Sequence, residues 1–94
     1  MATYEIIAED IASAEDIDGY ASVLCVQAVI NKSVKDRTRY AELFIHECLE
    51  CINNAKLEYC IKHEHLNVLG KELSKILLAT GWTPPEIPPE GFKI

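Results

Sequence analysis

Ninety-four residues, 49% of them hydrophobic, make a chain long enough for one small domain and too apolar to stay disordered. The formal charge of −6 lies wholly in residues 1–31, which hold Glu5, Glu9, Asp10, Glu15, Asp16 and Asp18 and no Lys or Arg. With residues 32–94 neutral in sum, no net basic face exists for phosphates, which argues against nucleic-acid binding, and no apolar run reaches the ~20 residues of a membrane span.

A chain of this size buries only about 60–65% of its extended surface, so a partner would add much to its stability. No basic start followed by a long apolar run opens the sequence. With four cysteines, Cys25, Cys48, Cys51 and Cys60, the expectation is a cytoplasmic chain with reduced thiols.

Residues 1–12 read as a short first element. Ile7 and Ile11 carry helical spacing, although Tyr4 to Ile7 also suits a brief strand. Residues 14–32 read as a buried helix. Ser13 with Asp16 three residues on resembles a capping box, and Tyr20 to Ile30 is apolar on nearly every face. Val23, Val26, Val29 and Ile30 are β-branched, which leaves a buried strand as the alternative. Lys32, Lys35, Arg37 and Arg39, diluted by Asp36, read as a solvated turn leading into a helix, with Ser33 and Asp36 as N-cap signals.

Residues 34–80 carry the strongest pattern. Ile45, Ile52, Tyr59, Leu66 and Leu73 recur every seven residues, Cys48, Ala55, Leu69 and Ile76 fill the second seam position, and Lys62 interrupts it. The pattern predicts one long amphipathic helix, or a hairpin that breaks at Asn53-Asn54 or near Gly70. A continuous helix of ~43 residues would span roughly 64 Å against ~30 Å for the preceding one, so a second copy or another protein would have to cover the seam. Gly81 marks the helix end. The tail over 81–94 carries Pro84-Pro85 and Pro88-Pro89, which impose an extended path, and Trp82, Ile87, Phe92 and Ile94, which favour packing along helices.

Three constellations bear on chemistry. Cys48, Cys51, Cys60 and His63, flanked by His46 and His65, have zinc-site spacing, but twelve residues of helix would separate Cys48 from Cys60 by ~18 Å unless a hairpin closes. Glu47-x2-Glu50 followed by Glu64-x2-Asn67 resembles a degraded form of the MazG-type pattern. The resemblance covers residues 46–69. It implies an all-α nucleoside triphosphate pyrophosphohydrolase in which Glu47, Glu50 and Glu64 hold Mg²⁺, with Asn67 as a weak fourth ligand. His46 stands in place of the first glutamate and Asn67 in place of an aspartate, which removes two of the carboxylates a hard cation requires. Cys60-x2-His63 places a thiol one helical turn from an imidazole, without an orienting third group or an oxyanion loop. His46, His63 and His65 could also titrate near neutrality.

The sequence therefore predicts an all-α single domain, a helical bundle with coiled-coil character and a proline-rich tail. The expected function is that of a small acidic, non-enzymatic association module (an adaptor, inhibitor or immunity-type binder). It would act as a homo-oligomer, a dimer first, and on another protein, without nucleic acid, membrane, metal or cofactor. Ile45, Ile52, Tyr59, Leu66, Leu69, Leu73 and Ile76 are the expected core or interface. The pyrophosphohydrolase and a Cys/His zinc hairpin are the alternatives.

Overall fold

In the computed structural model, which describes residues 4–9, 19–22 and 27–94, a mixed sheet carries a pair of helices. The strands are β1 (Glu5–Glu9), β2 (Gly19–Ser22), β3 (Gln27–Asn31) and β4 (Phe92–Lys93). The helices are α1 (Arg37–Lys56) and α2 (His63–Ala79). The strand order is β2-β3-β1-β4, with β3 parallel to β1 and antiparallel to β2, and the two-residue β4 antiparallel to β1.

This architecture overturns the all-α expectation, and with it the helical bundle. The buried helix expected over 14–32 is replaced, where described, by β2 and β3, and the described part of the first element is strand β1. The reason lies in the position of β3. It is a central strand, and Ala28, Val29 and Ile30 are all completely buried, so both of its faces are apolar. A strand covered on both sides loses the two-residue alternation and reads like a helix buried all round. The β-branched Val29 and Ile30, with Ile6 and Ile7 in the paired strand, were the residues that favoured a sheet. The capping box at Ser13 and Asp16 lies outside the described residues.

Register sets the core. Ile6 pairs with Ala28 and Ala8 with Ile30, so these four share the face on which α1 lies. Asp36 caps α1, its carboxylate accepting from the Thr38 and Arg39 amides at 3.0 and 3.4 Å. From that start Tyr40, Leu43 and Phe44, spaced i, i+3, i+4, meet Ile30 and form the buried cluster, with Ile6, Val34, Ile45, Cys48, Trp82 and Ile87 around it.

The seven-residue repeat does not build one helix. α1 ends at Lys56, residues 57–62 turn, and α2 runs back along α1. The hairpin alternative holds, although the break falls beyond Asn53-Asn54. Tyr59, a seam position, stands in the turn at φ 62°, and Lys62 is the residue preceding α2. The coiled-coil reading falls with it. No ~64 Å stripe exists, because helices of 20 and 17 residues span only about 30 and 26 Å. The length mismatch that called for a second copy is gone. α2 packs on α1 and makes no comparable contact with the sheet, so among the described residues it forms an outer layer.

After Gly81, at φ 97°, the tail crosses α1. Trp82 meets Phe44 with ring centroids 6.2 Å apart, Pro84 is buried, and the Arg37 guanidinium donates to the Pro84 carbonyl at 3.5 Å. A turn closed by the Gly91 amide on the Pro88 carbonyl (2.8 Å) then sends Phe92–Lys93 onto the edge of β1. Gly91 has φ 76°, and a Cβ there would stand 2.7 Å from the Ile6 carbonyl oxygen. Only glycine fits both demands. No helix among the described residues is long and apolar enough to cross a membrane.

Candidate functional site on the helical hairpin

The hairpin is fixed by one buried side chain. Asn53, 3% exposed, donates through Nδ2 to the Ile61 carbonyl at 2.9 Å and accepts at Oδ1 from the Ile61 amide at 3.1 Å. Its own carbonyl accepts from the Leu57 and Tyr59 amides at 3.3 and 3.0 Å. The asparagine thus satisfies the backbone of a turn in which Glu58 and Tyr59 both take left-handed conformations. Farther along, Gly70 lets α2 approach until a Cβ at that position would lie 3.3 Å from His46 Cα.

These two constraints bring polar side chains from both helices together. His46 and Glu50 lie one turn apart on α1, and His63 is the first residue of α2. His63 Nδ1 stands 3.2 Å from Glu50 Oε1, and the His46 and His63 rings meet edge to face with centroids 5.2 Å apart. Burial lowers the proton affinity of His46 more than the neighbouring Glu50 carboxylate raises it, so its imidazole is neutral at neutral pH. This is the one group of three potential metal-ligating residues found among the described residues.

Beside it, α1 carries buried groups that are poor at charge. Glu47 is buried, and desolvation, aided by the Glu50 charge, raises its carboxyl to about 7. Burial likewise pushes the Cys48 thiol up to about 12 and the Cys51 thiol up to about 11. Thiols so reluctant to ionise pack as small apolar side chains and make poor nucleophiles.

The constellations read from sequence are distributed otherwise. Of the zinc set, Cys51 is buried, Cys48 packs beside the sheet-side core, Cys60 is exposed in the turn, and His63 faces Glu50. Of the magnesium set, Glu47 is buried, Glu50 is half-buried, and Glu64 and Asn67 are exposed on α2. Neither foursome gathers. Of the expected interface, Leu66 is fully buried and Ile45 half-buried, whereas Ile52, Tyr59, Leu69, Leu73 and Ile76 face outward. Leu69, Leu73 and Ile76 follow i, i+4, i+7 spacing and form one exposed strip on α2, along the flank of the face that buries Leu66, Gly70 and Ser74. Sequence reasoning missed the combination of His46, Glu50 and His63. The signal was His46-x3-Glu50, two ligand types on one helical face, which becomes a site only when a turn returns His63. Comparison with protein-family models, curated proteins and solved structures gives no match.

Proposed function

We propose that this chain is a non-enzymatic association module, and that the exposed apolar flank of α2 is the surface it offers to another protein. The observation that carries this reading is the strip of Leu69, Leu73 and Ile76, which are 46%, 39% and 61% exposed. An outer-layer helix normally turns its apolar stripe inward and its charges outward. α2 does turn Leu66 inward, yet it leaves an apolar row exposed beside that buried stripe, bordered by the Glu72–Lys75 ion pair. A contiguous apolar row with a charged border is the composition of a protein-binding surface. A partner different from the chain itself fits better than a second copy, because the long seam that demanded self-association is absent.

A photo-crosslinking residue placed at position 73 or 76, with position 71 as control, tests the reading in cells. The expected result is a discrete adduct with another protein from 73 and 76, absent from 71, and abolished by Leu69→Asp in a chain that still folds. No adduct, equal adducts at all three positions, or an adduct with a second copy would refute it.

A further inference from the structure

His46, Glu50 and His63 offer two imidazoles and one carboxylate from two helices, and their ligand atoms all lie within 4.8 Å of one another. A tetrahedral ion with bonds of ~2.0–2.1 Å spaces its ligand atoms about 3.3 Å apart. The separation between His63 Nδ1 and Glu50 Oε1, 3.2 Å, already matches one edge of that tetrahedron. The remaining edges need side-chain rotations of an ångström or so. Asn53, which holds the turn, and Gly70, which sets the helix spacing, bring the three side chains together.

From this geometry we infer that His46, Glu50 and His63 bind a divalent ion of the zinc class, with water completing the coordination, and that the ion staples the first turn of α2 to the middle of α1. The donor set selects the ion. Imidazole suits Zn²⁺ and its transition-metal neighbours, whereas Mg²⁺ and Ca²⁺ need more oxygen ligands than one carboxylate supplies. The staple matters to this fold because α2 leans on α1 without comparable support from the sheet. Occupancy of the site would therefore set how firmly α2 and its exposed apolar flank are held. This inference does not depend on the association reading.

Calorimetric titration of the full chain with Zn²⁺ should show one saturable site. At free zinc 100-fold above the dissociation constant, the folded-to-unfolded ratio should rise about 100-fold, read as a higher melting temperature. His63→Gln changes a side chain that is 68% exposed, so the variant should fold; it and Glu50→Gln should each weaken binding by at least about tenfold. His65→Gln, an exposed neighbour outside the cluster, should bind as the parent does. With Co²⁺ as probe, the spectrum should lack a thiolate-to-metal charge-transfer band. Absence of saturable binding, binding that survives His63→Gln, binding lost in His65→Gln, or a thiolate band would each overturn the inference.

Discussion

Replacing Asn53 by Ala should open the hairpin. The substitution deletes both side-chain hydrogen bonds to Ile61, which lies partly buried in the turn. A hydrogen bond contributes about 1 kcal/mol net, and a backbone group left unpaired by its loss costs about 1–3 kcal/mol. Two such groups give a gross loss of about 3 kcal/mol. The higher helix propensity of Ala returns about 0.5 kcal/mol, leaving roughly 2–3 kcal/mol. In a domain whose total stability is of order 5–15 kcal/mol, that is a large fraction, and at about 4–8 °C per kcal/mol the melting temperature should fall by roughly 10–20 °C. Asn54→Ala is the internal control. Asn54 is the next residue of the same helix, so its replacement should be neutral or stabilising by about 0.5 kcal/mol. Urea unfolding of both variants, followed by far-UV circular dichroism at constant m-value, supplies the comparison. Equal shifts for the two, or a loss below about 0.5 kcal/mol for Asn53→Ala, would refute the claim that this side chain holds the turn.

Three further perturbations separate other parts of the argument. Burial holds the Glu47 carboxyl at about 7, against an ordinary value of 4.5, so between those values the folded chain keeps a proton that the unfolded chain has released. Its contribution is therefore fully present below ~4.5 and is lost as pH rises through 7, by on the order of 2–3 kcal/mol. Glu47→Gln should match the parent near pH 4.5 and exceed it at pH 8 in thermal melts. The opposite slope from His46, whose lowered proton affinity removes stability as pH falls through its ordinary value of 6.5, should then stand alone. Gly91→Ala should cost about 2–4 kcal/mol, because it adds a clash with the Ile6 carbonyl to about 1–2 kcal/mol of left-handed strain; Gly81→Ala, with open space around it, should cost only the strain. Hydrogen exchange at the Ile94 amide, which donates to the Tyr4 carbonyl at 2.9 Å, should accelerate in the first variant and not in the second. Leu66→Ala should lose about 2–5 kcal/mol, whereas Leu73→Glu should stay within about 0.5 kcal/mol of the parent by urea unfolding, since one is core and the other surface.

The ends of the helices were legible because their signals are local. The Asp36 cap and Gly81 past the end of α2 can each be read within one or two turns, whereas the buried row of Tyr40, Leu43 and Phe44 lies off the seven-residue seam and was missed. The sheet was not legible, because what identifies β3 is the pair of strands beside it, and Gln27 to Asn31 shows only that everything around them is apolar. The seven-residue phase misled for a related reason. Spacing along the chain does not record that Tyr59 turns a corner, and Asn53, read as one place for the helix to break, instead stays in α1 and holds the later turn through Ile61. The His46, Glu50 and His63 cluster shares that dependence, since two ligands are neighbours on a helix and the third arrives by the turn.

The last strand has a consequence for assembly. β4 covers one side of β1 with only the pairs Glu5–Lys93 and Ile6–Phe92, helped by two backbone bonds between Tyr4 and Ile94. Without them, an isoleucine-bearing strand would present unsatisfied amides and carbonyls to any neighbouring chain. Two proline pairs and a left-handed glycine deliver a two-residue plug to that exposed border. Undocking residues 92–94 would leave most of the interior intact while turning a closed rim into a sticky one.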